Sequence, residues 1–238
     1  TDNALAVKPW QVHYRTIARC HAVLDKLPGL KASMAEAAYN QLDAELRFVR
    51  AYAYSQLIEL YGAVPLIKQA VGLGNSNVER TPKAAIEQFL LDELTEIAER
   101  LPVSQSVYGN VRASRIAAYM LKARIALYAK RYPQAAEASK KALDLSAGVN
   151  DLTPFNTTVN TAGRDHTTGE PSTANIFGHE GYLSSKEWIW VAEYNKAIVG
   201  NTHNQQYYIA SRLGKGVCYW GPTQDFINTF QATDGLPI

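Results

Sequence analysis

Apolar side chains recur along the first two thirds of the chain with the period of an α-helix. Trp10, Tyr14, Ile17, His21 and Leu24 mark one face, and Pro28-Gly29 stops that run. A longer helix follows from about Lys31 to Tyr61, with Leu42, Leu46, Val49, Ala53, Leu57 and Leu60 as its stripe. Gly62 stands where a left-handed cap belongs and Pro65 forbids continuation. After a Gly/Asn loop, Thr81-Pro82 reads as an N-cap followed by proline at the first helical position. Ile86, Leu90, Leu94, Ile97 and Leu101 then supply a buried face that Pro102 ends.

Two further stripes, Ala117-Leu121-Ile125-Tyr128 and Ala135-Ala138-Ala142-Leu145, are separated only by a turn at Lys130-Arg131-Tyr132. The two helices must fold back antiparallel, and the alanines let their backbones approach closely. The pair is similar to a tetratricopeptide unit. Tyr119 falls at its large aromatic position, Ala123 at the small crossing position, and Tyr132, Ala135 and Ala142 on the turn and second helix. Lys122, Ala126, Ser139 and Ala147 depart from that pattern. One such unit cannot be stable alone, so Leu42–Tyr61 and Pro82–Leu101 are expected to form its neighbour.

The pattern changes near Gly148. Residues 148–186 are rich in Thr, Asn and Gly and show no period. Glu187–Tyr194 has the content of a short strand, and Pro222 opens a short helix carrying Phe226 and Phe230. The expected fold class is therefore all-α: tetratricopeptide-like antiparallel helix pairs with long irregular loops and a minor short strand. Residues 1–147 form the helical core, and 148–238 a loop-rich region packed on it within the same domain.

Composition narrows the function. A net charge of +2 with scattered Lys and Arg offers no basic stripe for nucleic acid. No apolar run is long enough to span a bilayer, and TDNALAVKPW lacks the basic start and apolar core of a signal peptide. Cys20 and Cys218 read as two small buried side chains, with a single bridge left open for an oxidising compartment. Nucleophile-elbow, zincin, P-loop and dinucleotide motifs are all missing, and no His shares a metal-like spacing with another ligand. His21 reads as a satisfied core histidine. Asp92, Glu93 and Glu96 read as a solvated helix face, and no pair among Asp165, Glu170 and Glu180 stands out for glycosidic cleavage. Catalytic residues, metal ligands and cofactors are accordingly all expected to be none.

Fourteen tyrosines stand against six phenylalanines, which favours aromatic surfaces with a wet edge. Tyr194, Tyr207, Tyr208, Tyr219 and Trp220 fall in or beside a second irregular stretch, among Asn201, Asn204, Gln205, Gln206, Arg212 and Lys215. A sugar ring has an apolar C–H face and a fringe of hydroxyls. Flat rings flanked by amide and guanidinium groups are its natural receptor. Tyr207, Tyr208, Arg212, Tyr219, Trp220 and Asn204 are the candidate ligand contacts. The plainer reading, in which Tyr207-Tyr208 anchor the loop and Trp220 packs beneath Pro222, stays open.

AELRFVRAYAYSQLIELYGAVPLI (Ala44–Ile67) closely resembles the signature helix of the SusD/RagB family. Other segments follow in family order: Arg80-Thr81-Pro82, the hairpin Ser114–Leu143, Glu187-Trp188-Ile189-Trp190, and FQATDGLPI at Phe230–Ile238. Ala63 stands where the family often has Asp or Asn. Within the signature helix Asp43 and Arg47 form an acid-before-base i,i+4 pair, and Glu45, Arg47 and Arg50 are read as knitting helices together. The resemblance implies a nutrient-binding outer-membrane lipoprotein, here a fragment truncated at both ends. It would be tethered outside the cell by a lipid upstream of Thr1 and would be non-catalytic. Its implied partners are an oligosaccharide or polysaccharide, or a peptide, and a SusC-like TonB-dependent outer-membrane barrel to which it delivers glycan. The alternatives are a tetratricopeptide-type protein–protein scaffold and a helical glycoside hydrolase.

Overall fold

The computed structural model describes residues 4–72 (side chains from Val7 on), 77–105, 111–150 and 189–190. The chain divides into two compact units, residues 1–191 and 192–238, and all described residues belong to the first. Five helices carry the described fold: α1 (Ala4–Leu24), α2 (Glu36–Tyr61), α3 (Lys83–Ala98), α4 (Arg115–Tyr128) and α5 (Tyr132–Ser146). A 3-10 segment, Leu27–Ser33, joins α1 to α2. Each helix packs mainly on its neighbours in sequence, α1 on α2, α2 on α3, α3 on α4 and α4 on α5. The class is all-α, as expected, and both expected pairs, α2 with α3 and α4 with α5, are present.

The stripe of α3 is buried as read: Ile86, Leu90, Leu94, Ile97 and Leu101 are at most 1% exposed. Each such side chain contributes about 1.5–3 kcal/mol relative to leaving it in water. The stripe of α2 is corrected. Ala53 and Leu57 are buried as read, together with Ala44, Phe48, Ala51, Tyr54 and Ile58, while Leu42, Leu46 and Val49 are half-buried and Leu60 is exposed. The large aliphatic residues mislead because α2 is gripped between α1 and α3, and alanines form much of the contact where two backbones come close. The start of α2 is also corrected, from Lys31 to Glu36. After Pro28 the chain winds as a 3-10 helix, which the Ser33 hydroxyl closes by donating to Leu30 O at 2.8 Å, and Ala35 is extended.

The described residues hold a small sheet that the sequence reading did not give. β1 (Val64–Pro65) pairs antiparallel with β2 (Arg80–Thr81), Val64 opposite Thr81. Thr81 is thus a ladder residue rather than an N-cap, and α3 begins at Lys83 with Pro82 O accepting from the N–H groups of Ala85 and Ile86. Of Glu187–Tyr194 only Ile189 and Trp190 are described, in a bend rather than a strand.

The strap after α2 is pinned by side chains of two helices. Tyr14 Oη donates to Pro65 O at 2.8 Å. Tyr54 Oη accepts from Ile67 N–H at 2.7 Å and donates to Ile67 O at 3.2 Å. His21 Nε2 lies 3.0 Å from the same carbonyl, and Asp25 accepts from Ala70 N–H at 2.9 Å. Burial pushes the Tyr54 hydroxyl up to about 12, so it stays a donor at neutral pH.

The ends of the last hairpin are each set locally. Ser114 caps α4 by accepting from Ala117 N–H at 3.1 Å. At the other end Arg131 N–H reaches Ala126 O at 2.8 Å and Lys130 N–H reaches Leu127 O at 3.0 Å. This is the Schellman arrangement, with Lys130 at φ 59° in the position glycine favours.

Two substitutions test this account. Tyr54→Phe leaves the Ile67 amide without its partner and should destabilise by about 1–3 kcal/mol in urea unfolding. Lys130→Gly relieves the left-handed backbone and should stabilise the fold by on the order of 0.5–1 kcal/mol, read as a higher urea midpoint at unchanged slope.

Candidate functional site

Of the α3 acids read as a solvated face, Asp92 and Glu96 are exposed as read, and Glu93 is corrected. Glu93 is 4% exposed and Glu93 Oε1 accepts from Arg47 Nε at 3.0 Å and from Arg50. Glu96 takes Arg47 in a two-pronged contact at 2.9 and 2.7 Å, and Arg100 at 2.6 Å. Arg47 and Arg100 both reach back to Asp43, at 3.5 and 3.1 Å. Sequence reading had Arg47 and Arg50 knitting helices together but did not identify Glu93 and Glu96 as their partners. Arg47 is held more basic than usual, first by its bond to Glu96, and Arg47 in turn holds the Glu96 carboxyl below its ordinary value.

Glu45 does the same work toward the chain ahead of α4. It accepts from Arg112 at 2.8 and 3.2 Å, and from Gln105 and Gln41 at 3.3 and 2.8 Å. Arg115 then closes the seam by donating to the carbonyls of Ala98, Leu101 and Glu99 at the end of α3, at 3.2, 3.3 and 3.0 Å. Glu45, Arg47 and Arg50 therefore knit helices together, as read, each through ion pairs to groups on other segments.

The open space lies on the other side of the frame. A groove of about 730 Å³ runs between α2, α4, α5 and the bend at Ile189-Trp190. Trp190 forms one wall, its ring edge-on to Phe48 and Tyr52 at 5.1 and 4.9 Å, and its indole N–H reaches Val111 O at 3.3 Å. Tyr128 and Tyr132 form the opposite lip and are 58% and 59% exposed. The placement of Tyr128 on a buried stripe is thereby corrected: α4 ends there, beyond the cover of α3. Arg124 and Ser139 are the polar side chains of the lining besides the tyrosine hydroxyls. Met120, Leu127 and Leu143 extend an exposed apolar face on the same hairpin. The sequence signal for this groove was available, in aromatic residues at the end of one helix and the start of the next.

Tyr119 is buried, and its hydroxyl donates to Glu99 at 2.7 Å. Ala123 is buried at the helix crossing. Cys20 is buried with a free thiol that burial pushes up, while Cys218 lies outside the described residues. So do the candidate ligand contacts Tyr207, Tyr208, Arg212, Tyr219, Trp220 and Asn204, and the acids Asp165, Glu170 and Glu180. Among the described residues no three His, Cys, Asp or Glu side chains gather as metal ligands, and no helix is long and apolar enough to cross a membrane.

The fold defines a class: a stacked-helix frame whose buried charges serve architecture. The SusD-like family, described as starch-binding and associating with the outer membrane, matches residues 1–127. The chain belongs to that family. A SusD-like protein from Bacteroides fragilis is 26% identical, with a TM-score of 0.75 over 98% of this chain and 43% of its own. A SusD-like carbohydrate-binding protein from the same species is 23% identical, with a TM-score of 0.79 over 100% and 42%. A laminarin-binding SusD-like protein is 25% identical, with a TM-score of 0.54 over 66% and 32%. The chain thus spans less than half the length of these solved relatives. No curated protein matches it.

The histidines give the frame a pH dependence. Burial lowers the proton affinity of His21 and outweighs the contact with the Ile67 carbonyl, which raises it. The folded protein binds this proton less readily than the unfolded chain does. The resulting stability is fully present above the ordinary value of 6.5 and is lost as pH falls below it. Chemical unfolding between pH 7.5 and 5 should show stability declining by up to about 1.4 kcal/mol per pH unit for each buried histidine. His21→Gln should flatten the slope.

Proposed function

We propose that this protein captures glycans at the outer-membrane surface, without cleaving them, and delivers them to a TonB-dependent barrel. The observation that carries the reading is the family match over residues 1–127, with its starch-binding description. The expected lipid anchor, the external face of the outer membrane and the SusC-like partner belong to the same proposal. Two features of the chain support it. Glu45, Arg47 and Arg50 of the signature helix are engaged in holding the frame. The stretch Asn201–Trp220 concentrates aromatic, amide and guanidinium groups of the kind that grip sugars.

A second reading is favoured at one place. The groove on α4 and α5 offers aromatic and aliphatic side chains but few of the amide and carboxylate groups that sugar hydroxyls demand. That surface suits protein contact better than glycan contact.

Calorimetry and affinity electrophoresis of the full-length protein against a polysaccharide panel test the proposal. Binding to at least one glycan without release of reducing ends is expected, and failure to bind any would overturn it. Trp220→Ala and Tyr207→Ala should each weaken affinity by on the order of 1–3 kcal/mol, using base–ring stacking as the scale. Tyr128→Ala with Tyr132→Ala should leave glycan affinity within about two-fold, since 1.4 kcal/mol is needed for ten-fold.

A further inference from the structure

The arginines that join α2, α3 and α4 are matched with acids: Arg47, Arg50, Arg100, Arg112 and Arg115 each sit in an ion pair. The outer face of α1 differs. Lys8, Arg15, Arg19 and Lys26 are all exposed, and none of them forms an ion pair among the described residues. α1 contains no Asp or Glu between Ala4 and Leu24. Asp25, which follows it, accepts from the Ala70 N–H at 2.9 Å. The four cations stand seven, four and seven positions apart. At about 100° and 1.5 Å per residue they fall in one stripe of about 27 Å. That stripe lies opposite the buried Ile17 and His21. Val12 and Val23 fall within it and are 55% and 42% exposed.

The shape of this face selects among anions. A small anion needs donors that converge on an enclosed point, whereas these cations are strung along a convex helix, and the groove of the frame includes no α1 residue. The face therefore fits an extended array of negative charge. Of such arrays, a plane of lipid headgroups accommodates the valines as well, since apolar side chains on a basic helix face enter the headgroup boundary. An acidic polymer in water leaves them wet. The family is described as associating with the outer membrane, so such a plane is at hand.

We infer that the outer face of α1 lies against anionic headgroups of the membrane, a contact separate from a lipid anchor. The inference rests on the outer-membrane location proposed above. Lys8, Arg15, Arg19 and Lys26 reach the phosphates, and Val12 and Val23 sit at the boundary between headgroups and acyl chains.

Sedimentation of the full-length polypeptide, produced without lipid modification, with vesicles tests this. Binding is expected to an equimolar mixture of phosphatidylcholine and phosphatidylglycerol and not to phosphatidylcholine alone. It should fall away between about 0.1 M and 1 M salt, as the screening length shrinks from ~10 to ~3 Å. Arg15→Gln with Arg19→Gln should weaken it by about thirty-fold, on a scale of about five-fold per cation. Lys140→Gln with Lys141→Gln, which removes the same charge from α5, should change it by less than about three-fold. No binding to the anionic vesicles, equal binding to both kinds, or equal loss in the two double variants would overturn the inference. So would binding to soluble polyaspartate without binding to the vesicles, which assigns the stripe to an acidic polymer. Glycan affinity should be the same in all of these variants, so failure of this face and failure of the glycan reading are told apart.

Discussion

The frame depends on one buried carboxylate. Glu93 stands between Arg47 and Arg50, one turn apart on α2, and is almost wholly out of water. A lone carboxylate there would be strongly unfavourable, and a lone arginine equally so. The pairing has consequences on both sides. It fixes the rotation of α3 against α2, because only one face of α3 carries acids at that spacing. It also leaves the opposite edge of α2, with Phe48 and Tyr52, turned toward α4 and Trp190. The charged seam and the aromatic groove are thus two faces of one orientation.

Much of this architecture was legible in the sequence, and the reasons differ by element. The α3 stripe was readable because its interior is built of large aliphatic residues at a single period. The α4–α5 hairpin was readable because a three-residue turn leaves no other geometry. α2 was misread in detail because a helix buried on two sides loses the contrast between faces. The two-residue strands were missed because so short a ladder has no period to detect. Glu93 was read as solvated because a helix wheel shows which residues share a face, not what that face meets. The resemblance in Ala44–Ile67 was the stronger guide, and the structure supplies its physical content: Glu45 binds Arg112, Arg47 binds Glu96, and Arg47 and Arg50 share Glu93.

The binding residues were a different matter. A sugar site is defined by side chains that converge from irregular segments, and no periodicity announces it. Tyr207, Tyr208, Arg212, Tyr219, Trp220 and Asn204 were chosen on chemistry alone and lie outside the described residues. The groove that is described was not anticipated, because Tyr128 and Tyr132 were assigned to a stripe and a turn. Their exposure reflects the place where α4 outruns its cover.

The bond from Trp190 to Val111 spans 79 positions, whereas the helices of the frame touch chiefly their sequential neighbours. Such a stack has low contact order and can assemble rapidly from either end. The indole cannot find its wall until α2 and α4 have already been brought together by α3. Its docking therefore belongs to the last stage of folding, and a change at this ring is felt in the unfolding rate rather than in the speed of assembly.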